Sequence, residues 1–151
     1  MIQIRLANQE DYEAIAGFQI KMALETENFS LDKETVTLGV LNALRDPAKG
    51  KYFVAVDTDH KIISSLLVTF EWSDWRNKWV LWIQSVYVLP EYRKLGIFRQ
   101  MYQKVKEWAE EDDEVSGVRL YVDKSNTRAI EVYKRMGMNG DHYQLFEWML
   151  S

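Results

Sequence analysis

Residues 89–114 read LPEYRKLGIFRQMYQKVKEWAEEDDE. After Pro90, the apolar residues Leu95, Phe98, Tyr102, Val105 and Ala109 recur at helical spacing, with Met101 and Trp108 beside them, and predict an amphipathic helix. The charges of this segment oppose the helix dipole. Arg93, Lys94 and Arg99 crowd the positive end, and Glu110, Glu111, Asp112, Asp113 and Glu114 crowd the negative one; Glu91 offsets part of the first mismatch. The stretches on either side, 79–88 and GVRLYVD at 117–123, read as strands. A helical crossover returns the chain in the same direction, so these two strands are predicted to be parallel neighbours.

Working outward from this unit, residues 2–6 alternate like a strand, and Asn8 is a candidate N-cap for a helix running to about Leu24. Asp32 opens a second helix, DKETVTLGVLNALRD, which Pro47 and Gly50 end. KYFVAVD and KIISSLLVTFEW are strands joined at Asp57-Thr58-Asp59-His60, a hairpin signal. Asn126 or Ser125 caps a last helix that ends at Gly137, and HYQLFEWML at 142–150 closes the chain as a strand. Consecutive strands in the first half favour antiparallel pairing. The predicted fold is therefore α/β: a mixed, mostly antiparallel sheet flanked by helices, with one parallel strand pair. No repeat, low-complexity run or linker divides the chain, so residues 1–151 are expected to form a single domain.

At 151 residues, with 47% hydrophobic and 28% charged residues, the chain is long enough to bury a core unaided. There is no cysteine, which removes disulfides and thiolate chemistry and suits a cytoplasmic location. The first residues lack a signal-peptide pattern, and no apolar run approaches the ~20 residues of a membrane span, so no membrane partner is expected. A net charge of −4 argues against nucleic-acid binding. His60 and His142 have no spaced partners and suggest no metal site. Phosphate-loop, dinucleotide, serine-hydrolase and zinc-protease motifs are absent, and no carboxylate pair stands out as a glycosidase pair. Asn28-Phe29-Ser30 forms a glycosylation sequon that chance explains.

Ligands of parallel α/β units gather beyond the carboxyl ends of the strands, where helix N-termini point. The 93–98 turn occupies such a place. Its backbone amides favour an anion, Arg93 and Lys94 add to that preference, and Gly96 permits close approach. Both cations also read as ordinary solvated side chains. The acidic run at the far end reads as a solvated turn.

SVYVLPEYRKLGIFRQM resembles the acetyl-coenzyme A binding motif of the GNAT N-acetyltransferase superfamily: Arg or Gln, two free positions, Gly, one free position, then Gly or Ala. Arg93 and Gly96 fit, and Phe98 departs from the small final residue. YVDKSNTRAIEVYKRMGM is similar to the family's next strand and helix, where Asn126, Ala129, Tyr133 and Gly137 share one helical face. The two motifs cover roughly residues 79 to 140 in the family's order.

The resemblance implies a single acyltransferase-like domain that moves an acetyl group from acetyl-CoA, its co-substrate, to a primary amine by direct attack in a ternary complex. It places the pyrophosphate at Arg93, Lys94, Leu95, Gly96, Ile97 and Phe98, and the pantetheine arm along Val86, Tyr87 and Val88. Asn126 matches a cofactor-arm contact, and reads equally as a plain N-cap. Tyr133 matches the general acid; alone it would read as a core tyrosine. A neutral phenol, with a pKa near ~10, can protonate a leaving thiolate. The general base stays unassigned: the strand before the motif offers Gln84, which can only orient water, and Glu71, Asp74, Glu25 and Glu27 are the other candidates. Four of the six tryptophans fall between 72 and 82, where they pack a hairpin, cover core, form a dimer contact or line an acceptor cleft, which the resemblance places at the first helix–helix loop and the central strands, near Glu25, Glu27, Asn28 and Phe29. The acceptor is expected to be a small-molecule or peptide amine, and a homodimer is compatible. A non-catalytic CoA-binding or protein-interaction module on the same frame is the second reading.

Overall fold

The computed structural model describes residues 1–150. Its elements run β1 (Gln3–Leu6), α1 (Tyr12–Glu27), α2 (Lys33–Arg45), β2 (Lys51–Val56), β3 (Ile62–Ser73), β4 (Lys78–Val88), α3 (Ile97–Glu111), β5 (Val115–Leu120) and α4 (Thr127–Arg135). Five strands lie in the order β1-β2-β3-β4-β5. The first four pair antiparallel, and β4 and β5 are the parallel pair. The predicted mixed sheet is therefore present. By its contacts the chain divides into two compact units, Met1–Arg119 and Leu120–Ser151.

In the first unit, the period-two alternation of strand residues builds a core on each face of the sheet. Tyr52, Val54 and Val56 of β2 join Ile15, Ala16, Val40 and Ala43 of α1 and α2 in one buried cluster. The intervening Phe53 meets Trp108 of α3, with ring centroids 6.2 Å apart. On β3, Ser64 and Phe70 reach Met101 and Trp108 of α3, whereas Leu67 packs with the α1/α2 cluster. Helices thus cover both faces.

The local signals act as read. Asn8 caps a 3-10 turn at Gln9–Asp11 that leads into α1, with Asp11 completing a capping box. Asp32 caps α2 through the Thr35 amide. The β2–β3 hairpin turns at residues 57–60, where the Asp57 carboxylate accepts from the Asp59 and Lys61 amides, both at 2.9 Å. Trp72 and Trp79 face each other across the β3–β4 hairpin, edge to face at 5.0 Å, so these two pack the hairpin. Trp75 at its tip is exposed.

Two expectations are corrected. Residues 142–150 form no strand, and Tyr143, Leu145, Phe146, Trp148, Met149 and Leu150 are exposed. A helix closes its own hydrogen bonds, but a strand needs a neighbour to supply its ladder; alternation alone does not specify one. The α3 helix also starts later than its apolar pattern suggested. Pro90 opens a separate 3-10 turn (Pro90–Tyr92), and helical bonding begins at Ile97. The buried line is accordingly Ile97, Met101 and Val105, and Leu95 is exposed. Arg93 and Lys94 precede the helix rather than opposing its dipole from within. At the far end, Asp112 accepts from the Glu114 amide at 2.9 Å, so part of the acidic run shapes the turn into β5.

Candidate functional site

The carboxyl end of β4 is where its antiparallel pairing with β3 stops being regular. Between the pairs Leu67↔Gln84 and Ser65↔Tyr87, β3 advances two residues and β4 three, so β4 carries one extra residue. Ser85 sits at this bulge with φ 55, a left-handed conformation that non-glycine residues seldom adopt. One added residue flips every later side chain to the opposite face. Leu81, paired with Phe70, belongs to the α3 face. Simple alternation would put Tyr87 there too; the bulge turns it towards α1, where its ring lies 5.3 Å from that of Phe18. Trp79 and Ser116 fix the start of the β4–β5 pairing through a 3.1 Å hydrogen bond. With six residues, β5 ends before the bulge, and residues 86–88 of β4 extend past it.

The re-aimed Tyr87 is part of a cluster. Its hydroxyl donates to Glu25 Oε2 in the last turn of α1. Arg93 Nη2 donates to Glu25 Oε1 at 3.0 Å, Arg93 Nε donates to the Val88 carbonyl at 2.8 Å, and the guanidinium lies over the Tyr87 ring, 5.3 Å from its centroid. The Tyr87 hydrogen bond, with Arg93 adding to it, holds the Glu25 carboxyl below the usual carboxylate range against slight burial. Burial and the facing carboxylate push the Tyr87 phenol up to about 12. Tyr92 ties the same loop to the β2–β3 hairpin through its hydroxyl and Asp57, at 2.9 Å.

The turn that follows is built on two left-handed residues, Lys94 (φ 67) and Gly96 (φ 75). Gly96 is the N-cap of α3 and offers no side-chain acceptor; the first helical bond is from the Gln100 amide to the Gly96 carbonyl. The earlier amides therefore point out of the helix end. Apart from Gly96 and its two chain neighbours, no heavy atom lies within 4 Å of where a Cβ on Gly96 would stand, so the backbone is open on that side. Ile97 is buried by its side chain and can offer a ligand only its amide. A left-handed turn with outward amides and two cations suits the phosphate groups of a nucleotide.

Asn126 caps α4, accepting from the Ala129 amide at 3.1 Å, and Gly137 (φ 87) follows the helix end. Tyr133 lies partly buried on α4, and burial raises its phenol above the ordinary value. Of the base candidates, Gln84 donates to Thr69 at 2.8 Å, and Glu71 accepts from Trp82 and Arg119 at 3.0 and 2.6 Å. Glu25 is the one joined to residues of the β4 end and the following turn. The Glu25–Tyr87–Arg93 cluster was not foreseen. Its one sequence signal is an acidic residue in the last turn of a helix, where the dipole disfavours it. The bulge, which makes the cluster, has no sequence signature.

The family model "Acetyltransferase (GNAT) family" matches residues 10–138. The chain belongs to the GNAT acetyltransferase family. A possible acetyltransferase from Clostridium difficile 630 is 40% identical and superposes with a TM-score of 0.92, covering 100% of this chain and 99% of that one. The thialysine N-epsilon-acetyltransferase of Bos taurus is 38% identical over 71 residues, 47% of this chain and 41% of that protein. The probable N-acetyltransferase san of Drosophila melanogaster is 37% identical over 57 residues, 38% and 31% of the two chains. The matched stretch thus spans less than half of either curated relative. A predicted acetyltransferase from Clostridium acetobutylicum, solved with acetyl-CoA, shares the fold at TM-score 0.75 and 21% identity, over 97% of this chain and 96% of that one.

Proposed function

We propose that this GNAT chain is an acetyl-CoA-dependent N-acetyltransferase acting on a primary amine in a ternary complex, through one acyltransferase-like domain over residues 1–151. The observation that carries this reading is the bulged end of β4 followed by the left-handed 94–96 turn at the start of α3. The amides of 94–98, with Arg93 and Lys94, hold the pyrophosphate. The stretch 86–88, which extends past β5, offers backbone groups to the pantetheine arm, and Asn126 contacts that arm while capping α4.

Bound there, acetyl-CoA supplies a thioester carbonyl that the amine nitrogen attacks, and the carbon–sulfur bond breaks as the new amide forms. Tyr133 gives its phenolic proton to the departing sulfur; a phenol of ordinary pKa is protonated at neutral pH, and burial moves it further in that direction. The amine's own proton leaves through solvent or a carboxylate. The proposed reaction calls on no metal. No helix of the described residues is long and apolar enough to cross a membrane, and the reading places the enzyme in the cytoplasm, without nucleic-acid or membrane partners.

Thiol release from acetyl-CoA in the presence of a library of small amines and peptides tests the activity. Tight CoA binding with no acceptor-dependent release favours instead a non-catalytic CoA-binding module, a reading that the engagement of Gln84 and Glu71 by neighbours supports. A homodimer fits the exposed apolar residues of 143–150, since a second copy would remove them from water; sedimentation showing only monomer at micromolar concentration contradicts it.

A further inference from the structure

We infer that Glu25 is the acceptor-side carboxylate of this site, and that Arg93 occupies it until the cofactor draws the guanidinium away. This rests on the proposed N-acetyltransferase function and deepens it. In the structure Arg93 is turned back from the phosphate turn: its Nε lies on the Val88 carbonyl, its Nη2 on Glu25 and its face on Tyr87. The Val88 carbonyl that it caps belongs to the stretch assigned to the cofactor arm. Placing the arm and the pyrophosphate therefore requires Arg93 to let go of both carbonyl and carboxylate.

Release leaves Glu25 ionised, fixed by the Tyr87 hydroxyl at Oε2 and with Oε1 open to a new cation. A protonated amine has the charge and donors to replace the guanidinium there. The helix end itself disfavours an acid at this position. Glu25 and Glu27 both stand at the negative end of the helix dipole, and no basic residue lies in the last turn. Lys21, one turn earlier, supplies the nearest same-helix positive charge. The arrangement makes the two substrates cooperative, because the cofactor vacates the carboxylate that the amine needs.

The test is calorimetric titration of folded wild type and Glu25→Gln with CoA, then of each CoA-saturated protein, and of CoA-free wild type, with hexane-1,6-diamine. The expected result is that Glu25→Gln binds CoA about two- to fivefold more tightly, the scale of releasing one surface ion pair. Structural damage would weaken binding, not tighten it. The diamine is expected to bind CoA-saturated wild type at least about tenfold more tightly than CoA-free wild type or CoA-saturated Glu25→Gln, as a coupling of the usual size requires. Unchanged or weaker CoA binding by Glu25→Gln overturns the inference and leaves the proposed function standing, as does diamine affinity that ignores CoA and Glu25. Wild type that binds no CoA overturns both.

Discussion

Tyr133 carries the sharpest residue-level prediction. A phenol is protonated at neutral pH and can serve as the acid without activation, so Tyr133→Phe is expected to lower turnover by about 10²-fold or more while leaving CoA affinity unchanged. Steady-state kinetics alongside calorimetry checks both halves, and equal turnover removes Tyr133 from the reaction. Gly96→Ala puts a Cβ on a residue at φ 75, where the neighbourhood has space but the backbone does not. The expected cost is about 1–2 kcal/mol of stability, with weaker CoA binding as the turn relaxes; denaturant melts with unchanged midpoint would contradict it. The sequence singles out these two positions because each matches a motif whose chemistry names the residue type. It does not single out the pairing of Glu25 with Arg93, since the partners are 68 positions apart and the chain must fold and bulge before they meet.

At the scale of elements, the entry to α1 depends on a short ionic lock. Arg5 makes two hydrogen bonds to Asp11, at 2.8 and 3.1 Å, and Asp11 also accepts from the Asn8 amide at 2.8 Å. Burial raises the Asp11 carboxyl, but Arg5 and the amide together bring it below the ordinary value. The folded pKa is the lower one, so this stabilisation is complete above roughly pH 4 and fades as pH falls through the folded value. Asp11→Ala is expected to cost about 2 kcal/mol at neutral pH, with the difference from wild type shrinking in acid melts. The β4 bulge gives a second element-scale prediction. Ser85→Val forces a β-branched residue to φ 55 and is expected to destabilise by about 1–3 kcal/mol, while Ser85→Gly is tolerated. Caps, hairpin turns and the order of strands could be read from sequence because each is set by residues within a few positions. The start of α3 could not be placed by periodicity alone: two left-handed residues, Lys94 among them, break the helix inside an unbroken apolar pattern.

Across the whole molecule, α1 and α2 on one face of the sheet and α3 on the other form an element frame shared with GNAT structures, and the family match over residues 10–138 extends from the first compact unit into the second. The mixed sheet was predictable because a helical crossover leaves one handed, parallel solution, whereas the fate of residues 142–150 depends on partners that a local pattern does not name. The most direct measurement is calorimetric titration of purified protein with acetyl-CoA, on wild type and Arg93→Ala. Saturable binding that Arg93→Ala weakens by about tenfold, the scale of a charge-assisted hydrogen bond to phosphate, is the predicted result. Folded wild type that takes up no acetyl-CoA, or an Arg93→Ala protein that binds it equally well, would contradict the assignment of the 93–98 turn as the cofactor site.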